Sequence, residues 1–543
     1  MFTMLADDLR ALIQGTVATD LASREAASRD ASIFQVMPEV VVAPRDSADV
    51  KALVRYANEH AGVSLTARAA GTCMSGGPLS SSIVLDMKPG FSAEPVVEGN
   101  LAKALPGLFY RDFEKVTLAH GLIMPTYPAS RELCAIGGMV SNNAGGEKSL
   151  TYGQTIDYVQ SIRAVLADGN EYELGPVSGD ALKKKLAQKD FEGSVYSQIY
   201  DLVTHNTKLI SQARPRVSKN SAGYQLWRVW DGETMNLAKL FVGAQGTLGI
   251  ITEATFSLVK PKPFSRLLVA FIDNLADVPG VVGALKAHAP ESLESYDDKT
   301  FMLALRFMPE FVQLLGARNI VSLGLQFIPE AWMLLTHGVP RLVVLAEFSG
   351  DTDAEALEPA RAAEQSLRSL GIRTRMTRSA HEAKKYWAIR RESFNLLRHH
   401  IRGRQTVPFI DDIIVPPERL ADFLPRLTAM LEPYQLTYSM VGHIGNGNFH
   451  VIPLMKLQDP KTQTAIHELS SKVYALVKEF NGSITAEHND GIIRTPFIEE
   501  MYGRQVYALF RRTKEIFDPH NIFNPGKKVG GSWQYALEHI KKS

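Results

Sequence analysis

IGGMVSNNAGG, residues 136–146, decides the reading of this chain. Glycine lacks a Cβ, so at this density the backbone can approach a ligand closely. Two further runs share the character: GTCMSGG at 71–77 and GAQGTLGIITEA at 243–254. A pyrophosphate needs several backbone N–H donors converging with no side chain in the way, and glycine-rich turns beside strand or helix ends supply them. Each loop alone reads equally well as a tight turn. None follows a strand–GxGxxG–helix pattern, and GNGNFH at 445–450 is not such a fingerprint either.

Outward from these loops the chain alternates strands and helices. PEVVVAPRDSADVKALVRYANEHAGVSLTARAAGT (38–72) reads as a small α/β unit, with an N-cap region at Asp46 to Asp49 between a β-rich run and a helical pattern. Residues 158–174 read as two strands joined at Asp168-Gly169. Strand character returns through 242–260 and stops at Pro261-Lys262-Pro263, where a domain boundary falls. Beyond it strand-like runs (266–273, 341–350) alternate with helical ones (356–370, 418–433), which is an α+β second domain. The tail, 501–528, reads as a helix stopped by Asp518-Pro519.

Composition narrows the function. A chain of 543 residues, 45% hydrophobic, exceeds one ordinary core and can bury two or more. Lys plus Arg number 59 against 58 acidic residues, so no broad positive field attracts nucleic acid or an anionic membrane, and a small-molecule partner is expected. Lys183 to Lys185 read as a solvated charge run. No stretch approaches the roughly 18 apolar residues of a membrane span, and acidic residues stand where a signal peptide carries basic ones, so a cytoplasmic location is expected. The two cysteines, Cys73 and Cys134, form no CxxC or four-ligand set, which argues against a disulfide framework, a cysteine-type zinc site or an iron–sulfur cluster in these residues.

TYSMVGHIGNGNFHVIPLM (437–455) reads as a hairpin turning at Asn446-Gly447. Counting outward pairs Ile444 with Phe449 and His443 with His450, so both imidazoles could reach one ion. Glu487, in SITAEHNDG, is the best third ligand. Spacing alone slightly favours reading the two histidines as polar residues flanking a turn.

Taken together, the loops and the hairpin resemble a known family. An RxxGT loop (Arg68 to Thr72) leading to SGG, the GG and NAGG segment with Tyr152-Gly153, and GxxGTLGIIT match the FAD-binding domain of the vanillyl-alcohol oxidase, or PCMH-type, superfamily. The later GHIGNGNFH (442–450), EHNDG (487–491) and Asp518-Pro519 to Asn524-Pro525-Gly526-Lys527 resemble D-lactate, glycolate and D-2-hydroxyglutarate dehydrogenases. The resemblance implies an α+β chain: an N-terminal helical segment (1–35), a two-subdomain PCMH-type FAD-binding domain (36–262), an α+β C-terminal substrate or cap domain of FAD-linked oxidases with a metal site (263–500), and a segment returning to the FAD domain (501–543). It implies FAD contacts at Arg68, Ala70, Gly71, Thr72, Cys73, Ser75, Gly76 and Gly77. Further contacts fall at Pro128, Ala129, Ser130, Gly137, Gly138, Ser141, Asn142, Ala144, Gly145, Gly146, Tyr152 and Gly153, and at Gln245, Gly249, Ile250, Ile251 and Asn524. Thr72 stands about where some members carry a histidine tether, so non-covalent FAD is expected. Cys73 reads as a packed small residue, with a tether or redox thiol as the alternative.

The same resemblance nominates His443, His450 and Glu487 as ligands of a divalent metal, commonly zinc, and His488 as base. A metal that lowers the pKa of a substrate hydroxyl, an imidazole that takes its proton and a flavin that accepts hydride make a coherent oxidation of a small 2-hydroxy acid. An arginine fork should pair the substrate carboxylate; the W-x-x-R pattern falls on Trp387 and Arg390, with Arg391 as its neighbour. Asn446 replaces the usual aspartate, Asn489 a glycine, Ile452 a substrate-binding Asn of 2-hydroxyglutarate enzymes, and Ile410 a lysine, which weakens 2-hydroxyglutarate specifically. The implied electron acceptor is external: a quinone, cytochrome, electron-transfer flavoprotein or separate iron–sulfur protein, which could hold the chain at the periphery of a membrane. A homodimer is compatible with it. The competing readings are an FAD oxidoreductase for another alcohol, sugar or lactone, a non-catalytic electron-transfer flavoprotein subunit, and a metal hydrolase.

Overall fold

A computed structural model describes residues 2–306, 336, 338–379, 382–391 and 404–541. The 38–72 unit folds locally for the reasons its sequence gives. Asp46 accepts from the backbone N–H groups of Ala48 and Asp49 and so caps the helix Ser47–Glu59. Val50, Leu53, Val54 and Ala57 then share one face of that helix, all buried. They pack over strands β2 (Val40–Ala43), β3 (Leu65–Arg68) and β4 (Ile83–Asp86). With β1 (Thr16–Ala18) these make a four-stranded sheet of order β1-β2-β4-β3, parallel except for β1.

The strand β1 departs from the helical reading of residues 1–35: it separates the helices Phe2–Leu12 and Leu21–Ala27. Its entry is pinned by Asp49, whose carboxylate accepts from the N–H groups of Gln14 (2.9 Å) and Gly15 (2.8 Å). A second, antiparallel sheet has the order β5-β6-β11-β7-β8, from β5 (Val96–Glu98), β6 (Leu101–Ala104), β7 (Val159–Val165), β8 (Glu171–Leu174) and β11 (Ile250–Ser257). Two short strands, β9 (Pro176–Ser178) and β10 (Thr234–Asn236), pair beside it.

Past Pro263 the chain builds a third sheet of order β15-β12-β14-β13-β18-β19-β16. Its strands are β12 (Phe264–Ile272), β13 (Ser292–Asp297), β14 (Leu342–Gly350), β15 (Arg373–Met376), β16 (Gln405–Thr406), β18 (Thr437–His443) and β19 (Asn448–Met455); β17 (Ile413–Ile414) pairs with β19. Leu268, Ala270, Ile272, Val344 and Ala346 face the helices Val278–Lys286 and Asp353–Ser369 on one side. The alternate residues Val269, Phe271, Val343, Leu345 and Val441 face Tyr386, Trp387 and Ile389 on the other, towards the N-terminal half.

The C-terminal tail crosses back. The helix Ile498–Phe517 ends at Asp518, whose carboxylate accepts from the N–H groups of Ile522 and Phe523. Leu65 of β3 then exchanges backbone hydrogen bonds with Ile522 and Asn524. Asn524 completes a clasp: its amide donates to the carbonyls of Gly77 (2.9 Å) and Gln245 (2.7 Å), and its oxygen accepts from Thr66.

Candidate active site

A cavity of about 920 Å³ lies between the glycine loops and the third sheet, near the top of the range usual for ligand sites. From the first loop it is lined by Arg68, Ala70, Gly71, Thr72, Cys73 and Gly77; from the second by Pro128, Ala129, Ser130, Gly137, Gly138, Ser141, Asn142, Ala144 and Gly145; from the third by Gln245, Gly249 and Ile251. A Cβ on Gly138 would have only Ala69 near it, so the backbone there is open, and one on Gly145 would come within 3.0 Å of a Glu487 oxygen. The loop that would cradle a flavin therefore runs beside the nominated glutamate.

Seven expected contacts do not line this cavity. Ile250 is fully buried in the core beneath the first sheet, because strand alternation sends its neighbour Ile251 to the cavity instead. Tyr152 donates to Glu291, and Gly153, at φ 73°, ends the helix Ser149–Tyr152. Gly146 packs against the Tyr127 carbonyl. Gly76 donates to Asp30, and Ser75 donates to the His488 carbonyl. Asn524 acts through the clasp described above. These residues shape the loops from behind. Several unforeseen residues do line the cavity, among them Arg29, Asp30, Arg404, Gln405, Thr406 and Lys541.

On the opposite wall stand His443, His450, Glu487, His488, Arg390 and Arg391. The hairpin register differs from the expected one: His443 opposes Asn448, and His450 opposes Val441. The turn is longer because residues 444–446 form a 3₁₀ turn and only Gly447, at φ 74°, is left-handed. A shift of two residues leaves the facing unchanged, so the imidazoles still share a face, with ring centroids 5.3 Å apart. Nε2 of His443 lies 3.1 Å and Nε2 of His450 3.5 Å from the same Glu487 oxygen.

Each imidazole is held from behind by a carboxylate. His443 Nδ1 pairs with Glu294 at 2.6 Å; His450 Nδ1 and His488 Nδ1 share Asp411 at 3.0 and 2.6 Å. With Nδ1–H donated to these acceptors, Nε2 of each ring is the nitrogen left to the cavity, and it presents a lone pair there in the neutral ring. His443 Nε2 hydrogen-bonds the Glu487 oxygen; with that proton displaced, two such nitrogens and a carboxylate oxygen converge as a donor set that suits a divalent cation. The other Glu487 oxygen accepts from Lys219 at 2.9 Å, an ammonium with 1% exposure. Burial would raise the Glu487 carboxyl, but Lys219 and His443 hold it well below the ordinary value. Burial would depress His488, but Asp411 and Asp412 push it up to about 9. Burial likewise works on His443, where Glu294 reverses it upward, and on His450, which it leaves lowered.

Asp412 also comes close: it, His450, Glu487 and His488 each bring one donor atom within 4.8 Å of the others. Its oxygens are already engaged. Oδ2 accepts from Thr485 Oγ1 and from the N–H groups of Glu487 and His488, and Oδ1 from Asn448. It works as the anchor of the Glu487-His488 loop. The adjoining Asn489, at φ 70°, takes the left-handed conformation expected of the glycine it replaces and donates to the carbonyls of Asn142 and Gly243. Lys528 of the tail bonds Asn489 and Asp490.

Arg390 is engaged with Glu294 through Nε and Nη2 at 2.9 Å, and Arg391 with both oxygens of Glu147. Ile452 lines the cavity, whereas Ile410 is fully buried away from it. Cys73 is a buried thiol whose pKa is raised, first by burial and then by Asp30. Sequence reasoning missed Glu294, Lys219 and Asp411. The available signals were acids within otherwise buried strand patterns, SLESYD and FIDDII, and a lone lysine entering NSAGY.

A glycine-lined cavity facing an imidazole wall across two domains defines a flavoprotein of the PCMH-type fold, and comparisons agree. Residues 38–175 match the family "FAD binding domain", and residues 262–528 match "FAD linked oxidases, C-terminal domain". The chain belongs to these FAD linked oxidases. It is 30% identical over 529 residues to a D-2-hydroxyglutarate dehydrogenase of Pseudomonas putida, covering 95% of this chain and 50% of that protein. It is 27% identical to a D-lactate dehydrogenase of Archaeoglobus fulgidus, covering 90% of this chain and 91% of that protein. The chain thus spans about half the length of the D-2-hydroxyglutarate dehydrogenases it matches. The solved structure of a 4-ethylphenol oxidase from Gulosibacter chungangensis shares the fold at a TM-score of 0.68 and 15% identity, covering 98% of each chain. No helix among the described residues is long and apolar enough to cross a membrane.

Proposed function

We propose that this chain oxidises a small 2-hydroxy acid to the 2-oxo acid, with the reacting carbon held between a flavin in the glycine-lined half of the cavity and the His443, His450, Glu487 and His488 cluster. The convergence of two carboxylate-backed imidazoles and Glu487 on one point, against the loop that carries Gly145, carries the reading. When bound, FAD supplies a hydride acceptor, and a divalent cation, of which zinc suits the donor set, supplies acidity to a coordinated hydroxyl.

The remaining work falls to the protein. His443 and His450 offer Nε2, and Glu487 offers the oxygen between them, as the three ligands. His488, with Nδ1–H fixed on Asp411, offers Nε2 in its neutral form to take the hydroxyl proton. Arg390 lines the cavity with its Nη1 edge uncommitted to Glu294, and that edge orients the substrate carboxylate. FAD is held without a covalent tether, since Thr72 is no histidine and the raised pKa of Cys73 makes its thiol a poor nucleophile. Two cysteines cannot supply a four-thiolate cluster, so electrons leave these residues for a separate acceptor.

Anaerobic mixing of the FAD-loaded protein with 2-hydroxy acids tests the reading. Bleaching of the visible flavin band is expected, with its loss in His488→Asn while FAD stays bound. A flavin that none of these acids reduces would remove the proposal, and near-normal reduction in the variant would remove His488 as base.

A further inference from the structure

Resting on the reading of this site as a 2-hydroxy-acid centre, we infer that its substrate carries an uncharged aliphatic side chain of several carbons, selected by a wall of Val441 and Ile452. Val441 stands directly across from His450, and Ile452 is two residues further along β19 on the same face. Both line the cavity, at 6% and 5% exposure, and Pro408 adds a third apolar surface. A substituent leaving the reacting carbon along β19 therefore runs over hydrocarbon for about 7 Å, two residues of strand rise.

The distribution of charge agrees. On the sheet side the cavity is lined by Arg390, Arg391 and Arg404. Arg391 gives Nη2 to both oxygens of Glu147 and lies over the Trp387 ring, and Arg390 gives two nitrogens to Glu294, leaving one edge for the carboxylate beside the hydroxyl. Arg404 makes no ion pair with the described residues, but it precedes Gln405, which opposes Met455. That register sets it five or more residues along the strand from His450, roughly 17 Å or more at strand rise. It is exposed and also borders a separate outer hollow, so it marks the mouth of the cavity. Arg29, Arg68 and Lys541 belong to the N-terminal side, where Arg68 and Lys541 bond the carbonyls of Arg29 and Ser32. A second carboxylate two or three carbons beyond the hydroxyl would lie on the hydrocarbon of Val441, Ile452 and Pro408, a stretch of wall that itself offers no cation. Desolvating an unpaired carboxylate there is strongly unfavourable.

The test uses the FAD-loaded protein in anaerobic stopped flow with racemic 2-hydroxypropanoate, 2-hydroxybutanoate, 2-hydroxyhexanoate and the diacid 2-hydroxypentanedioate. The apparent second-order constant for flavin bleaching should rise roughly fourfold per added methylene, as burial of each methylene predicts. The diacid should fall at least about 100-fold below hexanoate, the order set by stranding a charge on that wall. Ile452→Val, a conservative change that keeps the strand, should lower the hexanoate-to-butanoate ratio by about two- to fourfold; Ile452→Asn should flatten the series and raise the diacid. A flat or falling series, a diacid as fast as hexanoate, or an unchanged ratio in Ile452→Val overturns the inference while 2-hydroxy-acid oxidation stands. Bound flavin that no member of the panel bleaches overturns the underlying reading and the inference with it.

Discussion

Replacing Asp411 by asparagine removes one charge and almost no volume, yet it sets the two imidazoles it serves against each other. Asp411 is fully buried and accepts Nδ1–H from both His450 and His488. Its main-chain carbonyl is fixed by Arg494. Burial would raise its carboxyl, but His488 and His450 hold it far below the ordinary range, so it is ionised at any working pH. An amide accepts through one atom and donates through the other. In Asp411→Asn one ring keeps its acceptor, and the other meets an NH₂ group that forces its proton onto Nε2. If that ring is His450, a ligand nitrogen is lost; if His488, the neutral ring is locked in the tautomer whose Nε2 already carries the proton. Outer-shell partners of ligating histidines are worth 10- to 100-fold, and a wrong tautomer of a base about 10⁴. Flavin reduction by a 2-hydroxy acid should therefore fall by about 10² to 10⁴. Anaerobic stopped flow measures it, with FAD content read from the absorbance spectrum. A variant that binds FAD fully and reduces it within threefold of the parent rate would refute the tautomer argument.

Other consequences are equally measurable. Asp297, 4% exposed, is raised to about 6, chiefly by burial. Between pH 3.8 and 6 the folded state holds a proton the unfolded chain releases, so stability falls as pH rises through that window. Asp297→Asn, which keeps the acceptor for the Thr300 N–H, should be more stable than the parent by about 1–3 kcal/mol above pH 6 and equal to it below pH 4 in urea titrations. Lys219→Met strands the Glu487 carboxylate and should cost about 3–5 kcal/mol in metal-free protein, recovered in part by added zinc in thermal melts; an unchanged melting temperature insensitive to zinc counts against the pair. Asn524→Ala orphans the carbonyls of Gly77 and Gln245, costing about 2–4 kcal/mol, and should speed FAD release on dilution.

What could be read in advance depended on whether a residue's role is local. Glycine loops announce themselves because the absence of a side chain is a property of the residue alone, and the Ser47–Glu59 helix carries both its cap and its buried stripe in its own sequence. The hairpin was legible in its facing but not in its register. Asn446-Gly447 suits a two-residue turn, yet Asn446 is drawn into a 3₁₀ turn, with its amide on Ser218. Ile250 and Ile251 are equivalent as letters, and only the direction of β11 separates core from cavity. Glu294 and Lys219 escaped notice because their partners lie 149 and 268 residues away. An acid in a buried strand and a lysine in a loop become informative only when the sheet brings His443 and Glu487 to them.

Diffraction from crystals of the FAD complex grown with zinc, with anomalous data at the metal edge, addresses the arrangement of the site directly. One peak within coordination distance of His443 Nε2, His450 Nε2 and a Glu487 oxygen is expected, with the isoalloxazine ring facing it from the side of Gly138 and Gly145. A peak held by Asp412 in place of His443, or flavin density outside the cavity these residues line, would contradict the account.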